Sequence, residues 1–301
     1  MEKKLDKLLI IVSLIVVFIV VGCLYFMPES SQEIANKIFK LFTDVFGSLT
    51  LLFTFIGVIL LVGISFSKFG RIKLGEGEPE YSTFKWVSMM ICCGLGSATV
   101  YWAFIEWAYY IGTPGLGIAP NSIRAYEMSV TYSMFHWGIS AWTLYALAGI
   151  PIAYHFHVRK NKGLSLSSVI SSITGLKQDG IICRIVDILF IFICFGGLSI
   201  TLGVSVPLVT EIFCNVIGIQ PSFIINFLII VVISIVYSFS SYIGIQKGMS
   251  KIADWNIKLV IIFLVAVVVF GPTLFIINNT TQSLGLMFQN FIGMSLFTDS
   301  I

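Results

Sequence analysis

The sequence predicts an all-α polytopic membrane protein, and three observations carry that prediction. Of its 301 residues 57% are hydrophobic and 11% charged, with a mean hydropathy of +0.97, whereas roughly a quarter of a soluble domain is charged. Apolar runs long enough to cross the hydrocarbon core, about 20 residues or more, recur near 8–27, 48–67, 86–112, 126–157, 184–217, 222–243 and 256–277. With the N-terminus inside, all but Lys37, Lys40 and Arg124 of the 18 Lys and Arg residues fall on the inner side, the asymmetry that cytoplasmic flanks display. The net charge of +3 therefore reports topology and implies no nucleic-acid partner.

The first run, 8–27, follows Met1-Glu2-Lys3-Lys4-Leu5-Asp6-Lys7. It is longer than a signal-peptide core and no Ala-x-Ala site follows, so it stays as a span. Val21-Gly22-Cys23 has the look of a lipoprotein cleavage site, but Leu24-Tyr25-Phe26 carries the apolar run past it. Gly57, Gly63, Gly70, Gly75 and Gly77 cluster with Lys68, Arg71, Lys73, Glu76, Glu78, Pro79 and Glu80, which reads as a flexible charged linker between the second and third spans. The chain thus divides into 1–85, two helices and a cytoplasmic linker, and 86–301, a block of five further spans. Several runs exceed one straight perpendicular helix and predict tilt or kinks, with Pro151, Pro207 and Pro272 as candidate kink sites.

The third span is the most informative. Its apolar sequence is interrupted by Cys93-Gly94-Leu95-Gly96-Ser97 and continues into Tyr101-Trp102-Ala103-Phe104-Ile105-Glu106-Trp107-Ala108-Tyr109-Tyr110. Irregular backbone at membrane depth survives only where protein buries it or a cavity solvates it, and broken helices of this kind hold substrates and ions in secondary transporters. Beyond the break, Trp102, Glu106 and Tyr109 fall at i, i+4 and i+7 and share one helix face. The fourth span adds Tyr132, Ser133, His136, Trp137 and Trp142. Aromatic rings on a desolvated surface attract a quaternary ammonium, which has no hydrogen to donate, by roughly 2 kcal/mol or more per contact; an interfacial aromatic belt or simple packing is the alternative use of the same residues.

Glu106 and Glu211 lie inside predicted spans, where a carboxylate is costly and a functional role is the first hypothesis. Asp187 and Asp254 sit nearer the cytoplasmic ends and are expected to pair with Arg184, Lys251 or Lys258. The six cysteines, Cys23, Cys92, Cys93, Cys183, Cys194 and Cys214, show no ligand spacing and read as small packing residues. A membrane enzyme finds little support: His155 and His157 point to different faces, His136 stands alone, there is no metal-ligand motif, and Gly138-Ile139-Ser140-Ala141 lacks a placed base. A non-transporting membrane subunit is a further class, separated from a transporter by uptake assays.

These residues carry a resemblance to a known family. Tyr101 to Tyr110, Thr113-Pro114, Pro120-Asn121-Ser122, Tyr132-Ser133-Met134-Phe135-His136-Trp137-Gly138, Val158-Arg159-Lys160, Pro207-Leu208-Val209-Thr210-Glu211 and Gly244-Ile245-Gln246-Lys247-Gly248 together resemble the betaine/carnitine/choline transporter family, with most likeness to its L-carnitine/γ-butyrobetaine antiporter branch. The resemblance covers essentially all of 1–301. It implies two peripheral helices followed by two inverted five-helix repeats, the 5+5 LeuT-like architecture, with substrate held between the repeats. These 301 residues match the peripheral pair and the first repeat, the second repeat being absent. The expectation is a fragment or truncated reading frame, or a chain completed by a partner.

The resemblance further implies that Tyr109 and Trp137 line a quaternary-ammonium pocket and that Gly94 and Gly96 belong to a Gly-x-Gly-x-Gly stretch whose third position here is Ala98. Sodium- and proton-coupled members usually keep that third glycine, so Ala98 leans towards sodium-independent exchange. After Gln-Lys-Gly the carnitine exchangers place an arginine that substitutes for a coupling sodium; the matching position is Ser250, with Lys251 beside it about 100° round the helix. A serine can ligate sodium but cannot replace it, so ion symport of betaine or choline stays open beside antiport. The implied substrates are L-carnitine, γ-butyrobetaine or glycine betaine, with no cofactor, no enzymatic step, no metal and a homotrimeric assembly. The implied place is a bacterial inner membrane, crossed several times with the N-terminus cytoplasmic.

Overall fold

The computed structural model describes residues 6–298 apart from Glu76 and Lys162, and it excludes the side chains of Leu95 and residues 97–100. Of the positions singled out above, Lys3, Lys4, Glu76, Lys162 and the side chain of Ala98 therefore lie outside the described residues. Ten α-helices succeed one another: α1 Lys7–Phe26, α2 Pro28–Phe66, α3 Thr83–Gly112, α4 Ile123–Phe135, α5 Ala141–Ala153, α6 Leu166–Thr174, α7 Ile181–Ile217, α8 Phe223–Ile243, α9 Ser250–Phe270 and α10 Thr273–Leu296. Among the described residues no strand occurs. Five stretches of the described residues are long and apolar enough to cross a membrane: α1, α2, α7, α8 and Ile245–Phe270. The molecule is an all-α polytopic membrane protein. The third and fourth expected spans are also helical, but each is interrupted, at Gly96 and at Gly138.

Burial follows the physics of lipid. The apolar side chains of α1, α7, α8 and α9 are largely exposed on the protein, Phe18, Leu189, Phe227 and Phe263 among them, where hydrocarbon is as good a neighbour as another leucine. Apart from Met128, the fully buried side chains are small and often polar, Ser88, Thr131, Cys183, Thr210, Cys214, Ser250 and Ser283 among them. Small side chains let helix backbones approach, and without a hydrophobic force between helices that approach and its hydrogen bonds hold the bundle together. Cys183 and Cys214 thus are small packing residues. Cys93 and Cys194 are exposed, because they sit on the outward faces of their helices.

Several boundaries differ from the sequence expectation. The segment 28–47, expected as an outer loop, is the first half of α2: Pro28 opens the helix in its first turn, where proline's missing N–H is no loss, and Lys37 pairs with Glu33 one turn away at 2.6 Å. At 39 residues and 1.5 Å per residue, α2 is about 58 Å long, so its polar half projects beyond the bilayer. The last span ends at Phe270 rather than 277, because Gly271 is extended and Pro272 then caps a new helix, α10. A residue before proline is pushed out of the helical region. Pro151 and Pro207 are accommodated inside α5 and α7; a π turn, Tyr154–Val158, follows Pro151 within a turn. The acidic residues do not pair as expected. Asp187 accepts a hydrogen bond from Ser167 at 2.8 Å, and buried Asp254 Oδ1 has no partner among the described residues.

The elements that matter for function surround α3. It packs against α4, α7 and α9, while α2 lies against α5 and α10, and α1 against α7. Gly57 makes the α2–α5 approach feasible, since a Cβ there would stand 2.6 Å from Leu147 Cδ1. Phe291 of α10 meets the Phe135 ring of α4 edge-on at 5.4 Å. On the linker, Glu80 accepts a hydrogen bond from Gln246 Nε2, which ties the start of α3 to the turn between α8 and α9.

Candidate binding site

α3 opens at Gly96, whose φ of 44° and ψ of −169° lie in a region open essentially to glycine alone. Space is not the constraint: the nearest atom to a Cβ at Gly96 would be Thr201 Cγ2 at 4.0 Å. Gly94 is different, because a Cβ there would stand 2.9 Å from Trp142 Cη2. The indole of Trp142, brought in by α5, lies over the bare backbone of α3 just before the break.

Past the break α3 resumes, and its aromatics distribute over two faces. Trp102 and Tyr109 are 5.9 Å apart by ring centroids, tilted by 56°, as their seven-residue separation predicts; Tyr109 is 60% exposed and presents its ring outward. Glu106, one turn before Tyr109 and Tyr110, has a side chain only 13% exposed. Its Oε2 accepts a hydrogen bond from Trp137 Nε1 at 2.7 Å, and its Oε1 lies 2.9 Å from His136 Nε2. His136 Nδ1 is in turn 2.8 Å from the Tyr110 hydroxyl, and the Tyr110 ring stacks on Tyr132 at 5.0 Å and 18°.

The Tyr110 hydroxyl also lies 3.5 Å from Glu106 Oε1 as a donor, and its role towards His136 depends on the imidazole tautomer. Indole N–H can only donate and a carboxylate can only accept. If His136 donates from Nε2 to Glu106, its Nδ1 is an acceptor, and the Tyr110 O–H donates to it. Both oxygens of Glu106 are then satisfied with a neutral imidazole, which answers the cost of a buried carboxylate at membrane depth, while the buried Tyr132 hydroxyl has no partner among the described residues.

At the other predicted site, Ser250 is fully buried and its hydroxyl donates to the carbonyl of Gln246, a bond back to the preceding turn. Lys251 is exposed. A π turn, Ile245–Met249, precedes them, and Gly248 within it lies so close to the Ser240 carbonyl that a Cβ would stand 2.3 Å away.

Comparison with known proteins matches residues 8–301 to the model of one family, described as "BCCT, betaine/carnitine/choline family transporter". The chain belongs to the betaine/carnitine/choline transporter family. It is 47% identical over 294 residues, 98% of this chain and 54% of the relative, to a "Carnitine transporter" of Acinetobacter baumannii. It is 34% identical over 298 residues, 98% of this chain in each case, to a "Probable glycine betaine transporter" of Desulfitobacterium hafniense and to an "Ectoine/hydroxyectoine transporter" of Virgibacillus pantothenticus, covering 60% and 59% of them. The chain thus spans little more than half the length of these curated relatives. The family is one of transporters and not of enzymes.

Of the residues that the sequence singled out, Gly94, Gly96 and Tyr109 lie along α3 itself, and Trp137 reaches α3 through its bond to Glu106. The structure does not join Ser250 or Lys251 to that group. The sequence singled out Glu106 as an intramembrane carboxylate without naming its partners, and it passed over Tyr110. A signal for Tyr110 was present: it stands four residues after Glu106, on the same helix face.

Proposed function

We propose that this chain forms the first-repeat half of a secondary transporter for zwitterionic trimethylammonium solutes, L-carnitine, γ-butyrobetaine or glycine betaine, exchanged by alternating access. What supports the reading is that Trp137 bonds to Glu106 on α3, one turn before Tyr109, on a helix opened at Gly96. A trimethylammonium group offers no N–H, so a site that selects it must use ring faces, and two rings anchored on neighbouring helices supply them. The opening of α3 at Gly96 is of the kind that broken helices use to hold a carboxylate or an ion. The similarity to a relative named a carnitine transporter favours carnitine among the candidates.

The test is equilibrium binding of L-carnitine and glycine betaine to the protein carried to its relatives' length. Trp137→Leu keeps an apolar side chain and removes the ring face, and it should weaken binding at least about tenfold, or about 1.4 kcal/mol; Tyr109→Leu should act in the same direction. Unchanged affinity in both variants would overturn the cage.

A further inference from the structure

We infer that Glu106 is a positioning residue for recognition of the quaternary ammonium: it fixes the plane of the Trp137 ring and does not serve as a counter-charge to the substrate. This rests on the cage reading given above and adds to it the element that orients one wall. The carboxylate has two oxygens and both are engaged, one by Trp137 Nε1 at 2.7 Å and the other by His136 Nε2 at 2.9 Å. With a side chain only 13% exposed, it presents little free surface to a ligand. A free counter-charge needs an uncommitted, accessible oxygen, whereas a bracket needs two fixed bonds from a second helix, and the second description fits.

The geometry of the bracket also explains why a carboxylate stands there. Trp137 and His136 are adjacent in sequence at the start of the π turn His136–Ser140, and both reach back to the same residue of α3. Two donors from neighbouring residues require one acceptor with two accepting oxygens, which among side chains only Asp and Glu provide when ionised. Tyr110 closes the assembly from α3 by its 2.8 Å contact with His136 Nδ1, and Tyr132 buttresses Tyr110 by stacking. An indole has two rotatable side-chain bonds; a hydrogen bond to its N–H fixes the second, and so selects which surroundings the ring face meets.

A residue that acts only through Trp137 leaves a signature that a general structural residue does not: non-additivity in a double-mutant cycle. Binding of L-carnitine and of glycine betaine should be measured on the full-length protein with Glu106→Ala, Trp137→Leu and the double variant. Glu106→Ala should weaken binding at least about fivefold, and the double variant should bind no more weakly than Trp137→Leu alone, within about twofold. Glu106→Gln, which keeps an acceptor for the indole while His136 changes tautomer, should restore most of the affinity. Multiplicative losses in the double variant, an unaltered affinity in Glu106→Ala, or a Glu106→Gln as weak as Glu106→Ala would each overturn the assignment. If Glu106→Ala does not fold, Glu106→Leu, which fills the space without an acceptor, completes the cycle with the same criteria. Loss in Trp137→Leu with additivity sinks the positioning role alone, while full affinity in both Trp137→Leu and Tyr109→Leu sinks the cage itself.

Discussion

Glycine shows at single positions how one residue type does different work. Gly94 is needed for room, since a Cβ would press on the Trp142 ring at 2.9 Å, whereas Gly22 in α1 has nothing within 4 Å. Replacing glycine by alanine inside a helix is worth up to about 1 kcal/mol in favour of alanine, and overpacking costs about 1–3 kcal/mol. At Gly94 the second effect exceeds the first, so Gly94→Ala should lower the denaturant midpoint of the reconstituted protein. Gly22→Ala should leave it unchanged or raise it. Equal behaviour of the two variants would show that Trp142 moves aside freely and that the close approach to α3 is unimportant.

Among the elements, α3 is the one whose irregularity was legible from its residues: Gly94 and Gly96 interrupt an apolar run just ahead of a row of aromatics, and the break falls at Gly96. Gly96→Ala should therefore strain the opening by about 1–3 kcal/mol, despite ample space for the methyl group, and reduce uptake rate more than protein accumulation in the membrane. Wild-type uptake in that variant would mean that α3 does not need its opening. The polar half of α2 and the helix α10 were less legible, because hydropathy detects lipid-length apolar runs and says nothing of helices lying outside them. The bracket around Glu106 was hidden for another reason. Trp137 is 31 residues away on a different helix, and periodicity orders residues within one helix but cannot set the rotation of one helix against the next. The α7–α8 contact makes the same point: the hydroxyl of buried Thr210 donates to the Asn226 side chain, a pairing that no spacing in the sequence announces. Thr210→Val keeps the shape and removes the donor, and should cost about 0.6–1.7 kcal/mol in unfolding experiments in lipid or detergent, against no change if the bond is idle.

At the scale of the whole molecule, the proposed transport raises the question of what balances charge. A zwitterion needs no net counter-charge, so a sodium ion, where one is coupled, works by fixing helices and not by neutralising the solute. Ser250 is positioned to serve such an ion only if its hydroxyl leaves the Gln246 carbonyl to which it now donates, and exposed Lys251 does not occupy the buried position beside it. Ala98 in place of the third glycine and the overall likeness to a relative named a carnitine transporter favour exchange without sodium. Counterflow of L-carnitine against γ-butyrobetaine, in proteoliposomes of the full-length protein with potassium replacing sodium, should retain its rate within about twofold. In the same assay Ser250→Ala should leave exchange independent of sodium, because the hydroxyl is committed within its own helix. Collapse of uptake without sodium, with Ser250→Ala raising the sodium concentration for half-maximal rate, would instead make Ser250 an ion ligand and the protein a symporter.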